Sequence, residues 1–228
     1  MKRYLPITSL PYAWPLSGEW SANDTALIVI DMQADFLHEN GYFANLGYSV
    51  EAGQKTIPVV ADLMDAFRKA DMPVYFTREG HRPDLSDLSF VKRVRGEKNG
   101  TPIGSEGPLG KFLVRGEQGW DIIESLKPLA GEVVIDKPGN SAFYATDFDK
   151  ILRNRGIKHL VLCGVTTDVC VHSTMRDANE RGYDCVLIED ACAAGFAHLH
   201  LATLDITKNE GGIFGAVSDS HTVLASMA

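Results

Sequence analysis

A three-layer α/β/α fold on a doubly wound, mainly parallel six-stranded sheet is the architecture this sequence predicts. Two observations carry it. Apolar runs of strand length alternate with stretches of helical period, which means right-handed crossovers and parallel pairing. The runs are also continuous rather than alternating, as in strands buried on both faces.

Thr25-Ala-Leu-Ile-Val-Ile30 is the first strand and ends at Asp31. Residues 32–50 read as loop, with Gly41 and Gly47. Residues 53–70 have a helical period, with Ile57, Val60, Leu63, Met64 and Phe67 on one face. Val74 to Thr77 is the second strand. A long polar, glycine-rich connection over residues 79–118 follows, and a loop of that length in a compact domain is usually functional. Trp120 to Leu126 predicts a short helix, Glu132 to Asp136 a third strand ending at Lys137, and 146–155 a helix capped by Thr146 or Asp147. Strand four spans 159–163. The helix carrying Cys170 runs to about Arg181, with Gly182 as its stop. Cys185 to Ile188 is strand five, 198–208 is helical, and a short last strand follows Gly215. Residues 1–23, interrupted by Pro6, Pro11 and Pro15, read as an extended N-terminal arm ahead of a single domain over 24–228.

With 228 residues, 45% hydrophobic and 23% charged, the chain has the make-up of one large globular domain. A net charge of −8 argues against nucleic acid as partner. The basic run Lys92-Arg93-Val94-Arg95 reads as solvated loop. No apolar stretch is long enough to span a membrane, and the N-terminus lacks a signal-peptide core. Cys163, Cys170, Cys185 and Cys192 lack the spacing of a disulfide scaffold or zinc site, so a reducing cytoplasm is expected. No glycine-rich phosphate loop follows the first strand, which excludes a dinucleotide-binding domain.

In parallel sheets ligands bind beyond the carboxyl ends of the strands. Asp31, Lys137 and Cys170 each fall at or just after such an end. Cys170, near a helix start, is the expected nucleophile, its thiol pKa lowered by unpaired N–H groups and the helix dipole. Asp31 is the expected general base. Lys137 would keep that carboxylate ionised and favour thiolate.

Three stretches, ALIVIDMQADF (26–36), VIDKPGNSAF (134–143) and CGVTTDVCV (163–171), resemble the isochorismatase-like cysteine hydrolases. The resemblance implies an Asp31-Lys137-Cys170 triad and a cis peptide between Val165 and Thr166. It also implies an oxyanion hole from the N–H groups of Thr166 and Cys170, no cofactor, and a homodimer or homotetramer. The arm PYAWPLSG, the loop TREGHRPDLSDL (77–88) and KPGN look most like the biuret-type ureide hydrolases, in which the residue matching Phe36 lines the substrate pocket. Glu210 stands where that branch carries glutamine. An ionised carboxylate only accepts hydrogen bonds, so it would suit a small neutral ureide, biuret or triuret, and repel a carboxylate. Ureidoacrylate or N-carbamoylsarcosine amidohydrolase and nicotinamidase are the alternatives within the superfamily, and an inactive binding protein of the same fold the alternative outside enzymes. Nicotinamidases bind a metal through Asp-x-His. The matching Glu79-Gly80-His81 is altered, and His198-x-His200 diverges on a helix, so no metal is expected.

Overall fold

The computed structural model describes residues 2–228. Six strands form one sheet: β1 (Thr25–Ile30), β2 (Val74–Glu79), β3 (Val133–Lys137), β4 (His159–Val165), β5 (Asp184–Ala193) and β6 (Ala216–Ser218). Every pairing in it is parallel, and the spatial order is β3-β2-β1-β4-β5-β6. The expected fold class is therefore the observed one. The chain reverses its winding direction between β1 and β4, and the splayed loops there open a crevice at the carboxyl edge.

Both faces of the sheet are covered. Alternate side chains of β1 divide between two cores, as the two-residue period of a strand requires. Leu27 and Val29 pack against Val60, Leu63, Met64 and Phe67 of α1 (Glu51–Lys69). Ala26, Ile28 and Ile30 face the other core. That second core holds Phe148 and Leu152 of α3 (Phe148–Asn154), Met175 and Ala178 of α4 (His172–Glu180), and Leu204 of α5 (Ala197–Gly212). A last helix, α6 (Ser220–Met227), is capped by Asp219, whose carboxylate accepts from the Thr222 N–H, and puts Val223 into the first core.

Five local expectations change. The 32–50 stretch, read as loop, holds two single-turn helices, Ala34–Leu37 and Tyr42–Asn45. The 79–118 connection contains a nine-residue helix, α2 (Phe90–Lys98), so the basic run 92–95 is helical, not loop. Its polar composition hides the element, but Ser89 caps it by accepting from the Lys92 N–H at 3.3 Å. Around Trp120 only a three-residue 3₁₀ turn forms, Glu124–Leu126. Helix α6 is unforeseen, because eight residues give too little period to read. The N-terminal arm is a folded hairpin rather than an extended tail. Arg3–Tyr4 pairs antiparallel with Trp20–Ser21, Trp14 and Trp20 are fully buried, and Leu10 exchanges backbone hydrogen bonds of 2.9 and 2.8 Å with Val217. The arm thus covers the open edge of β6. Among the described residues no helix is long and apolar enough to cross a membrane.

One glycine sets the geometry at the winding reversal. Gly164 (φ +116°) lies opposite Ile30 in the β1–β4 register. A Cβ there would stand 2.1 Å from the Ile30 carbonyl oxygen, so only glycine allows β4 to close on β1 just before the turn that carries Cys170.

Candidate active site

Asp31, Lys137 and Cys170 meet at the carboxyl edge of the sheet, all at most 3% exposed. Asp31 follows β1 in a left-handed conformation (φ 50°), which aspartate tolerates better than most residues. The Thr77 hydroxyl donates to Asp31 Oδ1 at 2.6 Å, and the Lys137 ammonium lies 2.7 Å from Oδ2. Lys137, the last residue of β3, reaches across β2 to get there. Its Nζ donates to the Gly139 carbonyl at 2.9 Å and to Cys170 Sγ at 3.4 Å.

Cys170 is not in the first turn of a regular α-helix. It is the fourth residue of a π-helical turn, Thr167–Val171, that precedes α4. The Val165–Thr166 peptide before that turn is cis. Among the described residues the Thr166 N–H meets no acceptor, and the Cys170 N–H meets none outside its own turn. Both residues border the pocket in front of the thiol.

A fourth charged residue joins them. Glu79 closes β2, and its Oε2 accepts from the Cys170 thiol at 3.3 Å and lies 3.7 Å from Lys137 Nζ. Its Oε1 takes the ammonium of Lys92 from α2 at 2.7 Å. The same ammonium reaches the Pro138 carbonyl at 3.0 Å and His81 Nε2 at 3.1 Å. Gln33 fixes the Glu79 backbone: its Oε1 accepts from the Glu79 N–H at 2.7 Å, and its Nε2 donates to the carbonyls of Glu79 (2.9 Å) and Trp120 (2.7 Å). Sequence reading weighed Glu79 only as a metal ligand, left Lys92 in solvent and passed over Gln33. The signal for Glu79 was its position, a carboxylate ending a buried strand, as with Asp31.

The charges shape one another. Burial pushes the Asp31 carboxyl above its usual range; Lys137 opposes this and Glu79 adds to it. Burial works the same way on Glu79, but Lys137 and Lys92 outweigh it and hold that carboxyl down at about 2. Lys137 stays protonated, because Asp31, Cys170 and Glu79 overcome the burial that would lower it. The Cys170 thiol is pushed up, first by burial and then by the two carboxylates, against the pull of Lys137. This reverses the expected depression: the resting group is a thiol, and its attack needs a base.

The donor set does not fit a metal. Asp31, Glu79 and Cys170 bring their ligand atoms within 4.8 Å of one another, but the Lys137 ammonium already touches all three. Glu79 and His81 are likewise bridged by Lys92. His198 stacks on Phe196, whereas His200 pairs with the Thr167 hydroxyl at 2.9 Å, so that pair does diverge.

Cys170 opens onto a cavity of about 240 Å³. Its walls include the half-buried Phe36, Tyr42, Phe43 and Tyr48 and the exposed Phe196; Glu79, Lys92, Arg95, Asn140, Thr166 and Asp168 supply polar groups. The 79–118 connection thus supplies one wall. The N-terminal arm supplies none. Glu210, in a left-handed turn (φ 50°) at the end of α5, is exposed and outside the lining.

Comparison with known proteins agrees with this geometry. The isochorismatase domain profile matches residues 25–221. Ureidoacrylate amidohydrolase RutB of Variovorax paradoxus is 35% identical over 98% of this chain and 90% of its own length. The protein of that name from Yersinia enterocolitica is 35% identical over 93% and 90%. Among solved structures, a cysteine hydrolase from Pseudomonas syringae pv. phaseolicola superposes with a TM-score of 0.79 at 27% identity, covering 97% of this chain and 96% of that one. N-carbamoylsarcosine amidase from Thermoplasma acidophilum gives 0.68 at 29%, covering 86% and 96%. A cysteine, lysine and aspartate gathered at the winding reversal, in a chain matched from its first sheet strand into its last helix, make this protein a member of the isochorismatase family.

Proposed function

We propose that the protein is a cysteine-dependent amidohydrolase that cleaves the terminal carbamoyl C–N bond of a small ureide bearing a carboxylate, of the ureidoacrylate type. The observation that carries the reaction class is the buried Cys170 thiol in contact with Lys137 and within reach of a carboxylate whose proton affinity burial has raised.

Asp31 takes the Sγ–H proton as the sulfur–carbon bond forms. The carbonyl oxygen becomes an oxyanion facing the N–H groups of Thr166 and Cys170. Asp31 returns the proton to the departing nitrogen, the C–N bond breaks, and ammonia leaves an acyl thioester on Cys170. Water then loses a proton to Asp31 and adds to the same carbon. The S–C bond breaks and the thiol is restored. The product is an N-carboxylated amine, which loses carbon dioxide spontaneously. Phe36 is a wall of the slot for the planar ureide.

Substrate choice rests on three features. The exclusion of carboxylates depended on Glu210, and that residue stands outside the cavity. Arg95 lines the cavity with no acidic partner among the described residues, which leaves a guanidinium to receive a carboxylate. The relatives similar over nearly the whole chain carry the ureidoacrylate name. A panel of ureidoacrylate, N-carbamoylsarcosine, biuret, triuret and nicotinamide, followed by ammonia release, tests the proposal. Ureidoacrylate is expected to give the highest kcat/KM. Arg95→Met should raise KM for the acidic substrates by about 10-fold or more and leave biuret unaffected. Faster turnover of biuret or triuret, with no effect of Arg95→Met, would restore the neutral-ureide reading.

The pH profile follows from the carboxyl groups. Protonated Asp31 cannot accept the thiol proton, so kcat/KM should fall on acidification. Because burial raises Asp31, the midpoint should lie above the ordinary aspartate value of about 3.9. Glu79 stays ionised across that window and adds no second limb. A midpoint at the ordinary value would remove Asp31 as the base.

A further inference from the structure

Glu79 is held by three side chains of the site, Lys92, Cys170 and Lys137, yet the three-residue mechanism gives it nothing to do. Its Oε1 is taken by Lys92 and its main chain by Gln33, so its position is fixed from both ends. Its Oε2 faces Cys170 Sγ at 3.3 Å and accepts from the thiol, while the Lys137 ammonium stands at 3.7 Å, beyond hydrogen-bond distance. When that proton passes to Asp31, Oε2 loses its donor and is left beside a thiolate. A buried carboxylate lone pair without a donor is costly. A substrate N–H can supply one.

We propose that Glu79 is a specificity-determining residue that accepts an N–H of the substrate's terminal carbamoyl group, selecting amides over esters, with Lys92 as its positioning residue. The inference rests on the amidohydrolase reading above. A carbamoyl carbon within bonding reach of Sγ places its substituents on the two sides of the sulfur. The oxygen turns to the N–H groups of Thr166 and Cys170. The NH₂ turns to the carboxylate side, where Asp31 and Glu79 stand. One N–H then replaces the lost S–H at Oε2, and the nitrogen lone pair is left for the proton that Asp31 returns. An ester presents no N–H and leaves Oε2 bare. Glu79 is suited to this task, and not to proton transfer, because Lys137 and Lys92 keep it anionic.

Lys92 also makes the experiment selective. In Glu79→Gln the amide oxygen is drawn to the Lys92 ammonium, so the NH₂ is turned toward Cys170. The acceptor becomes a donor with little change in shape. The measurement is kcat/KM for a matched pair, a ureide R–NH–CO–NH₂ and its carbamate ester R–NH–CO–OCH₃, in wild type and Glu79→Gln. Ureide hydrolysis is expected to fall relative to ester hydrolysis, so that the amide-to-ester ratio drops by about 100-fold or more. Reaction of Cys170 with methyl methanethiosulfonate, which transfers a methylthio group to the sulfur, releases methanesulfinate and needs no N–H contact, should be faster in Glu79→Gln than in wild type, since an anion beside the sulfur is gone. That rate also shows that the variant is folded around its thiol. An amide-to-ester ratio unchanged by Glu79→Gln would overturn the role of Glu79 and leave the amidohydrolase reading standing. Wild type inert toward every ureide and ester would overturn both.

Discussion

Replacing Cys170 by serine is expected to lower kcat/KM on the order of 10⁴-fold or more, with the fold unchanged. The size of the loss follows from the base. Asp31 is a carboxylate, raised by burial but still a weak base, and it must take the nucleophile's proton. A thiol lies within its reach only because Lys137, 3.4 Å from Sγ, steadies the thiolate as it forms. An alkoxide is far more basic than a thiolate, so the same pair cannot generate it at a useful rate. The serine hydroxyl can still donate to Glu79 Oε2 and accept from Lys137. The variant should therefore melt within about 1 kcal/mol of wild type. It should also hold a ureide unreacted, which makes it the form in which to measure Kd by calorimetry. Turnover within about 10-fold of wild type would show that sulfur is not the attacking atom.

Legibility in the sequence tracked how locally each feature is encoded. All six strands of the main sheet were readable, because a strand buried on both faces must be apolar along its whole length, as Thr25–Ile30 and His159–Val165 are. The triad was readable because strand ends deliver side chains to one edge. The charge network around Glu79 was not. Lys92 comes from a helix whose residues are mostly polar, so period gave no sign of it, and its partner lies 13 residues earlier on another element. Gln33 looked like part of a loop, yet its side-chain amide ties that loop to β2. The direction of the Cys170 shift was misread for a related reason. Sequence suggests a helix terminus, which favours thiolate, but the desolvation and the second carboxylate that oppose it come from distant residues. Glu210 shows the converse error: a position matched to a family pattern stands, in this chain, exposed at a left-handed turn.

Lys137→Met should cost about 3–5 kcal/mol of folding stability at neutral pH, besides abolishing activity, and the cost should shrink on acidification. Methionine fills nearly the same volume, so the loss is electrostatic. It leaves Asp31 and Glu79 facing each other in a buried site from which the ammonium 2.7 Å from Asp31 has gone. Glu79 keeps Lys92, so the strain falls on Asp31. Its carboxyl, already raised, rises further without its cation. A carboxyl whose folded pKa exceeds its unfolded value binds more protons in the folded state, so stability falls as pH rises through the folded pKa and recovers as pH drops. Lys137 in wild type is shifted in the raising direction, so its contribution is complete below the ordinary lysine value and constant through this window. The difference in melting temperature between wild type and Lys137→Met should accordingly be widest near neutrality and narrow on acidification. A difference independent of pH would mean that Asp31 is not the group left uncompensated, and that Lys137 holds the site by packing rather than by charge.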